Sequence, residues 1–402
     1  MKVFYFGSVC SNEVFNKTVA KSRVKPSSSA QNFENALIKG FAENKIDVSI
    51  ATAESIATFP NGNRIYLKQR TDILSDVYSA QIIPALNLPA IKQFCHAWGA
   101  KRILKRWLKK NADETEKCVL VYGMYPAVVK QLLRVCHIYN CKIFSLITDV
   151  PSTMFTYSKN QSLVKRVFAS SYRSIALALQ DQFDGYVYLT EEMKNEVAPG
   201  KPYVVIETLA DTSIFEKLPI VQKHLPPALM YAGALHKKYG VDLILESFEK
   251  LHTDCELWLF GSGDFEQEIK SKALVNPKIK FFGRVPRETV LRKEKEATLL
   301  LNLRNPEDSY TKYSFPSKMA EYMLSGTPVL TTMLPGIPDE YYAYCYATSN
   351  KDPQIIANFI DEIISSEAKD NLGTQASSFV YNNKNSAAQT AKIIHFLESH
   401  IY

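Results

Sequence analysis

The sequence predicts an α/β protein of two domains, each organised around a doubly wound parallel sheet. Three observations support this fold class: a strand, a helix and a strand open the chain, a second such series starts at residue 228, and the proline-rich residues 218–227 separate the two. A chain of 402 residues with 46% apolar side chains can form two cores. We therefore predict domains at 1–218 and 219–384, with residues 385–402 as a C-terminal helix.

The first domain begins with a predicted strand at 2–6. It ends in the Gly-Ser pair 7–8, where the backbone can approach a ligand closely. Residues 11–29 have little hydrophobic patterning and are predicted to form a loop. Residues 31–43 carry apolar side chains at helical spacing, and 46–51 follow as the next strand. This order is typical of the start of a parallel, doubly wound sheet.

Residues 90–110 have the most unusual composition of the chain, with seven Lys or Arg and two Trp. Apolar side chains fall on one stripe of a helix and basic ones on the rest. Such a helix can pack on a sheet with its basic side in water. Alternatively, residues 91–110 can lie in the headgroup region of an anionic membrane. Nucleic acid is not expected as a partner, because no RNA- or DNA-binding motif accompanies the basic patch.

Two buried-strand patterns, at 118–122 and 142–148, flank a predicted helix at 127–139. The second strand ends at Asp149. Ligands in open α/β sheets gather at the carboxyl ends of strands, so Asp149 is a candidate site residue. A carboxylate before a proline can also be an ordinary turn or helix cap. The remaining elements of the domain are predicted at 160–182 (helix), 185–190 (strand), 191–197 (helix) and 204–206 (strand).

The second domain is predicted to start with a strand at 228–232, followed by the loop 233–240 and a helix at 241–251. Gly233 permits close approach of the backbone to a phosphate. Further elements are predicted at 299–303 (strand), 327–332 (strand) and 387–401 (helix).

The clearest chemistry lies in residues 311–330, where a polar loop leads into a helix. The first N–H groups of that helix carry a partial positive charge and Lys318 adds a full charge, so the junction suits a phosphate. Glu321 follows one turn later, where a carboxylate can accept hydrogen bonds from paired sugar hydroxyls. An ordinary helix start with a solvated Lys–Glu pair would show the same pattern. The side-chain oxygens of Ser314 and Ser317 are the expected N-caps, and Pro316 has the fixed φ that suits the start of a helix.

Composition argues against several other classes of protein. There is no run of eighteen apolar residues and no signal peptide ahead of the first strand, so a cytoplasmic location is expected. Seven cysteines without a CxxC pair predict reduced thiols. Metal-binding His spacings and DxD pairs are missing, so neither a metal nor a cofactor is expected. The net charge of +7 is uneven: residues 1–110 hold 17 Lys or Arg against 7 Asp or Glu, and should meet any acidic partner.

Several motifs occur in a fixed order in the second domain. They are Tyr231–Leu235, Gly240–Ile244, Leu257–Gly263, Phe281–Gly283 and Glu321–Val329. Together they resemble the donor-binding half of the GT-B glycosyltransferases, in particular the retaining enzymes called family 4. The resemblance covers residues 228–332 well and the first domain only in outline. It implies two Rossmann-like doubly wound domains facing a central cleft, with a final helix that crosses back to the first domain.

The resemblance also implies site residues in the first domain. In such enzymes the first loop helps to bind the acceptor sugar, which points to Gly7, Ser8, Ser29 and Gln31 by position. A plain surface loop would look the same. Many relatives carry a histidine or an acidic residue facing the reacting sugar at the strand end where Asp149 stands. Asp149 is therefore the predicted catalytic residue of this domain.

In the donor domain the chain departs from its relatives. Ala234 and Tyr239 replace an Arg and a Lys that many of them place on the diphosphate, and Tyr313 replaces a second Glu. The predicted catalytic groups are therefore Lys238, Lys318 and Glu321. Arg284 and Val285 stand where relatives hold the nucleotide base. The predicted donor-binding residues are Gly233, Lys238, Gly261, Ser262, Gly263, Arg284, Val285, Tyr313, Ser314, Phe315, Pro316, Ser317, Lys318 and Glu321.

These inferences predict a metal-independent hexosyltransferase, retaining if the resemblance holds. It would move a hexose or N-acetylhexosamine from a nucleotide sugar, such as a UDP- or GDP-sugar, to a saccharide acceptor. The basic helix favours a polyprenyl-diphosphate-linked acceptor in polysaccharide or capsule synthesis, at the inner face of the membrane. Two alternatives stay open: a nucleotide-sugar 2-epimerase of the same fold, and a non-catalytic nucleotide-binding subunit.

Overall fold

Two sheets of mostly parallel strands organise the chain, one in each of two units. The computed structural model describes residues 1–150 and 163–401, with only the backbone of residues 163–169. The first unit comprises Met1–Leu209 with Ser386–Tyr402, and the second comprises Ala210–Asn385. The predicted α/β class is therefore confirmed.

The elements follow one another in the order typical of α/β proteins. The strands are β1 (Lys2–Gly7), β2 (Asp47–Thr52), β3 (Tyr66–Leu67), β4 (Arg70–Ile73), β5 (Ser79–Ile82), β6 (Ala85–Leu86), β7 (Lys117–Tyr122), β8 (Lys142–Ile147), β9 (Gly185–Tyr188), β10 (Tyr203–Val205), β11 (Ala228–Ala234), β12 (Glu256–Ser262), β13 (Ile279–Gly283), β14 (Leu299–Asn302), β15 (Val329–Thr332) and β16 (Tyr346–Thr348). The helices are α1 (Asn12–Lys21), α2 (Ser28–Glu43), α3 (Ile91–Lys110), α4 (Pro126–Ile138), α5 (Leu163–Gln180), α6 (Met193–Glu196), α7 (Ser213–Glu216), α8 (Val241–Phe248), α9 (Glu266–Val275), α10 (Arg287–Glu296), α11 (Ser317–Leu324), α12 (Pro353–Ser365), α13 (Lys369–Asn383) and α14 (Ser386–Ser399).

The sheet of the first unit has the strand order β10-β9-β8-β7-β1-β2-β5-β4. Its strands are parallel except β4, which pairs antiparallel with β5. In the centre, Val3 of β1 lies beside Val48 of β2 and Cys118 of β7. The chain moves outward from β1 through β2 and then returns to the other side with β7. The carboxyl ends of these central strands therefore form a switch point, where such sheets bind ligands.

Helices cover the first sheet on both faces. On one face α2 and α14 pack together, and their buried side chains include Phe41 and Phe396. Gly40 of α2 allows this close approach, because a Cβ there would lie 2.0 Å from the hydroxyl oxygen of Thr390. On the other face α3 packs against β1 and β2, with the ring centroids of Trp107 and Phe4 5.5 Å apart.

The second sheet has the order β13-β12-β11-β14-β15-β16 and is parallel throughout. Its switch point lies between β11 and β14. One apolar cluster joins the sheet to α8 and α12. A second cluster joins it to α11 and α13, and Phe215 of α7 packs against this cluster. This contact explains why the proline-rich residues 218–227, where we predicted the boundary, lie within the second unit.

Helix α11 is tied to the sheet by a tyrosine hydroxyl. Tyr322 is 1% exposed, and its hydroxyl accepts a hydrogen bond from the backbone N–H of Ala232 at 2.7 Å. The same hydroxyl lies 3.2 Å from the carbonyl oxygen of Ala232, to which it donates. These two bonds fix the second half of α11 relative to β11.

The structure also corrects the sequence prediction in two places. Residues 11–29 are not only a loop, because α1 forms there: the Ser11 side chain caps its N-terminus, and Lys17 pairs with Glu13 one turn earlier. The short strands β3 to β6 were not predicted. Residues 160–162 of the predicted helix lie outside the described residues. None of the helices in residues 1–150 and 163–401 is long and apolar enough to cross a membrane.

Replacing Tyr322 tests the anchoring of α11. Tyr322→Phe leaves the buried N–H of Ala232 without its partner, so the free energy of unfolding should fall by about 1–3 kcal/mol. Urea denaturation measures this loss. The control is Tyr381→Phe, whose half-exposed hydroxyl donates to Glu216 at 3.0 Å. Its effect should stay within about 0.5 kcal/mol. Equal losses in the two variants would contradict the anchoring role.

Candidate functional site

Glycines lie near the carboxyl ends of two neighbouring strands of the second unit. Gly233 of β11 lies beside Gly261 of β12. Gly261 has a φ of +126°, and a Cβ there would lie 1.8 Å from the carbonyl oxygen of Gly233. At Gly263 a Cβ would lie 2.0 Å from the carbonyl oxygen of Leu235. No other residue fits at Gly261 or Gly263, so the sequence dictates a loop with bare backbone at this sheet edge.

Helix α11 starts without a side-chain cap. Pro316 is the N-cap residue, with φ −65° and ψ 104°, and Ser317 is the first helical residue. The prediction that the Ser314 or Ser317 oxygen caps the helix is therefore wrong, because proline occupies the cap position. A helix start without a cap presents unsatisfied N–H groups and a partial positive charge to a ligand.

Four charged side chains meet behind this helix start. The Lys318 ammonium contacts the Glu321 carboxylate, and the Arg287 guanidinium donates to the other oxygen of Glu321 at 3.0 Å. Glu294, on α10, places its Oε1 atom 3.6 Å from the Lys318 nitrogen. Lys318 and Glu321 thus lie together as predicted from their spacing. The sequence did not reveal Arg287 or Glu294 as their partners.

The pKa values of Glu294 and Glu321 are shifted in opposite directions. Burial alone would raise the pKa of Glu321, but Lys318 and Arg287 outweigh it and lower the pKa to about 2. Glu294 is 0% exposed, and neither carboxylate oxygen has a hydrogen-bond partner in the described part of the chain. Burial first, and then the Glu321 charge, raise the pKa of Glu294 well above its ordinary value.

The protonation of Glu294 sets the charge of the site. With both carboxyls ionised, they would balance Lys318 and Arg287. With Glu294 protonated, the four groups carry one net positive charge. A protonated Glu294 therefore leaves the site attractive to an anion, and a buried neutral carboxyl avoids the cost of an uncompensated charge.

A second group of cations lies beside the loop after β11. Lys238 is exposed, with its ammonium 4.9 Å from the ring centroid of Tyr239. The guanidinium of Arg304 lies 4.9 Å from the same ring, and its Nε atom is buried without a hydrogen-bond partner among the described residues. Tyr310 donates a hydrogen bond to the carbonyl oxygen of Lys238. Arg304 was missed by sequence analysis, although it follows directly on the buried strand β14.

The other predicted donor-binding residues have different surroundings. Arg284 is exposed and donates to the Ser262 hydroxyl, so these two side chains lie together at the sheet edge. Val285 and Phe315 instead pack on the apolar cluster under α11, with Phe315 5.1 Å from the ring of Tyr341. Their side chains therefore anchor the loops. Ser314 and Tyr313 are half-buried, and Ser317 is exposed.

In the first unit the predicted acceptor loop is held by a buried carboxylate. Glu34 of α2 is 0% exposed and accepts hydrogen bonds from the Tyr5 hydroxyl at 2.7 Å, from the Ser8 N–H at 2.9 Å and from the Ser8 hydroxyl. A Cβ at Gly7 would lie 2.0 Å from the same carboxylate. Burial nevertheless raises the pKa of Glu34.

The other three predicted residues of this unit have different surroundings. Gln31 is buried and donates to the carbonyl of Cys10, so its amide holds the loop from within. Ser29 is exposed on α2. Asp149 follows the end of β8 with its side chain exposed, and the Thr148 hydroxyl donates to it at 3.4 Å. Desolvation by the neighbouring protein raises the pKa of the Asp149 carboxyl. Its role stays a prediction.

Two doubly wound parallel units, each with a switch point, define the fold as GT-B. Solved glycosyltransferase structures match over almost the whole chain. Sucrose-phosphate synthase from Thermosynechococcus elongatus has a TM-score of 0.65 at 13% identity, with 99% of both chains covered. Anabaena Alr3699/HepE in complex with UDP has 0.62 at 12% identity, with 99% of this chain and 100% of that chain covered. The lipopolysaccharide outer core galactosyltransferase WaaB has 0.63 at 12% identity, with 99% of both chains covered.

Residues 226–366 match the family described as glycosyl transferases group 1. The resemblance to GT-B glycosyltransferases is therefore confirmed, and the matched segment contains the glycine loops and the charged cluster of α10 and α11. At this level of identity the solved structures establish the fold alone. No curated protein sequence matches the chain significantly.

The raised pKa of Glu294 should make the free energy of unfolding depend on pH. Its folded pKa is raised, so its contribution to stability is full below its unfolded pKa of about 4.5 and is lost as pH rises through the folded pKa. Glu294→Gln removes this titration. Its stability relative to the wild type should therefore increase with pH above about 4.5, by at most about 1.4 kcal/mol per pH unit. Denaturant unfolding of both proteins between pH 5 and 9 measures the difference. A difference that does not change with pH would contradict a protonated Glu294.

Proposed function

We propose that this protein is a glycosyltransferase that moves a hexose or N-acetylhexosamine from a nucleotide diphosphate sugar to a saccharide acceptor. The observation that carries the proposal is the uncapped start of α11 with Lys318 and Glu321 behind it. It lies in the segment that matches the family of glycosyl transferases. The helix start suits a diphosphate, and Glu321 suits sugar hydroxyls.

The proposed mechanism is stabilisation of the leaving group. As the bond from the sugar to the diphosphate breaks, negative charge grows on the diphosphate oxygens. The N–H groups of α11, with Lys318, Lys238 and Arg304, are donors that interact more strongly with this charge than with the ground state. These cations supply the charge for which other glycosyltransferases use a metal, so we propose a metal-independent reaction without a cofactor. Retention of configuration is proposed from the family resemblance.

The solved relatives support a nucleotide sugar as donor and a sugar as acceptor. Anabaena Alr3699/HepE was crystallised with UDP and with UDP-glucose. An α,α-trehalose-phosphate synthase from Burkholderia xenovorans, with a TM-score of 0.61, was crystallised with glucose 6-phosphate. By analogy with WaaB, we propose a role in the assembly of a surface polysaccharide or another glycan.

A second part of the proposal concerns the membrane. The amphipathic helix α3 leaves Phe94 70% exposed and Trp98 65% exposed, and Ile138 of α4 is 70% exposed. Basic side chains surround Trp98, and Arg102 lies 5.6 Å from its ring. Aromatic side chains beside Lys and Arg are typical of surfaces that rest on anionic lipid. We therefore propose peripheral binding to the inner face of the membrane and a polyprenyl-diphosphate-linked acceptor.

Trp107 is not part of this proposed surface. Trp107 is 9% exposed and packs against Phe4 of the sheet, on the opposite side of the helix from the water-facing residues. The prediction of one apolar stripe is wrong here, because nine residues of an α-helix make about two and a half turns and place Trp107 opposite Trp98. Phe94 and Trp98 are the aromatic side chains of α3 that can enter a headgroup layer.

The donor is tested by thermal stabilisation of the purified protein with UDP-, GDP- and other nucleotide sugars. At a hundred times its dissociation constant, one preferred nucleotide should add about 2.7 kcal/mol of stability. Lys318→Ala should abolish this gain, whereas Lys270→Ala, which removes an exposed lysine of α9, should keep it. In turnover assays Glu321→Ala should lose about 2–4 kcal/mol of transition-state stabilisation.

Other outcomes identify the alternatives. Isomerisation of the donor sugar with no acceptor present would replace the transferase with a nucleotide-sugar epimerase. Nucleotide binding with no turnover in either assay would leave a non-catalytic subunit. Stabilisation by no nucleotide sugar at all would reject the donor site.

Membrane binding is tested with vesicles containing anionic lipid. Replacing both Phe94 and Trp98 by Ser removes two large apolar side chains and should weaken vesicle binding about ten-fold or more. The matched control replaces Leu274 and Val275, which are 88% and 87% exposed on the second unit, in the same way. Sedimentation with vesicles measures both variants. Equal weakening in the two, or none in the first, would reject the membrane surface.

A further inference from the structure

A pocket of about 350 Å³ lies at the carboxyl edge of the first sheet. Its size is within the range of small-molecule sites in proteins. Its lining comes from the end of β1, the segment between α1 and α2 with Lys25, the segment after β2, and the starts of α3 and α4, so it occupies the switch point of this sheet. Among the lining residues are Ser8, Glu54, Lys92, His96, Tyr125 and Ala127.

Lys92 brings a positively charged ammonium group into the pocket. Its side chain is half-buried, and its ammonium donates to the carbonyl oxygen of Ile56. No ion pair to Lys92 is formed by the residues that the structure describes. Burial lowers the pKa of Lys92 to about 8, which leaves it mostly protonated at neutral pH. A partly desolvated charge of this kind is stabilised by an anionic ligand.

His96, one turn later on α3, is an unsatisfied polar group of the same pocket. It is 7% exposed, and its Nε2 atom has no hydrogen-bond partner among the described residues. Burial, and then the charge of Lys92, lower the pKa of His96 to about 4. At neutral pH it is an uncharged imidazole, which can donate one N–H to an oxygen of a ligand. A buried polar atom without a partner is costly, so a ligand that bonds it gains free energy.

The start of α4 adds a third positive element. Pro126 is the first residue of this helix, none of the described side chains caps it, and Ala127 lines the pocket. Its first turn therefore turns a partial positive charge toward the pocket. The acidic residue of the lining, Glu54, is already paired with two arginines: it contacts Arg64, and Arg70 lies 3.0 Å away. The two guanidinium groups therefore carry more positive charge than the Glu54 carboxylate carries negative charge.

We propose that this pocket binds an anionic saccharide, whose phosphate or carboxylate oxygens meet Lys92, His96 and the start of α4 while the sugar ring packs on Tyr125. The Tyr125 side chain is 43% exposed, which leaves part of its ring free for such contact. The inference rests on the proposed function and narrows it, since it makes the acceptor an acidic sugar. The anion is either a group on the sugar itself or the diphosphate that links the sugar to a lipid.

The experiment measures binding to the full chain by calorimetry, without any nucleotide. The probes are glucose, inorganic phosphate, glucose 6-phosphate, glucuronic acid and a glucose diphosphate carrying a short alkyl chain. An acidic sugar should bind more tightly than both glucose and inorganic phosphate. Lys92→Met and His96→Phe should each weaken that binding about ten-fold or more, whereas Lys109→Met, at the far end of α3, should not.

The probes separate the two sources of the anion. Preference for glucose 6-phosphate or glucuronic acid places the charge on the sugar, and preference for the alkyl diphosphate places it in the lipid linkage. Equal binding of glucose, or no gain over inorganic phosphate, would overturn the proposal. Loss of binding in Lys318→Ala but not in Lys92→Met would overturn it too, because the probe would then occupy the donor site. The nucleotide test is independent, so failure of the proposed donor chemistry can be told apart from failure of this pocket. Unfolding curves of each variant exclude misfolding as the cause of a loss.

Discussion

Parallel strand pairing imposes the constraint on which both units depend, because it gathers the carboxyl ends of the strands at one edge of each sheet. In each unit a helix carries a fully buried glutamate, Glu34 in the first and Glu294 in the second. Glu34 is saturated with hydrogen bonds and holds the loop after β1 in place. Glu294 has no hydrogen-bond partner in the described residues and faces Lys318. Glu34 thus fixes the geometry of a loop, whereas Glu294 contributes a buried carboxyl with a raised pKa beside the charged pair of α11.

Much of the fold was predictable because it depends on local periodicity. The buried parallel strands are continuous apolar runs and the helices α2, α3 and α4 have a clear amphipathic pattern, so both signals are strong. The strands β3 to β6 are only two to four residues long, and their alternation is too short to recognise. Helix α1 was missed because its apolar stripe is short, with only Val14, Phe15 and Val19 half-buried, and the Ser11 side chain that caps it is not distinguishable from a loop serine in the sequence.

The candidate site was predictable where function depends on neighbours in sequence. The pairing of Lys318 with Glu321 follows from helical spacing, and the glycines at the strand ends follow from their motif. Glu294 was missed because α10 is highly charged and looks fully solvated. Its signal was the spacing to Leu291, which is 0% exposed three residues earlier and places Glu294 on the buried face. Gln31 and Arg304 could not be placed, because tertiary packing alone decides which way their side chains face.

The contact between α2 and α14 makes the first unit discontinuous in the sequence. Residues 210–385 lie between its two parts, and the side chains of Ile393, Phe396 and Leu397 complete its core. During synthesis on the ribosome, the whole second unit is available to fold before these side chains emerge. Until then the apolar face of α2 has no cover, so the nascent first unit exposes part of its interior for the time needed to translate an entire domain.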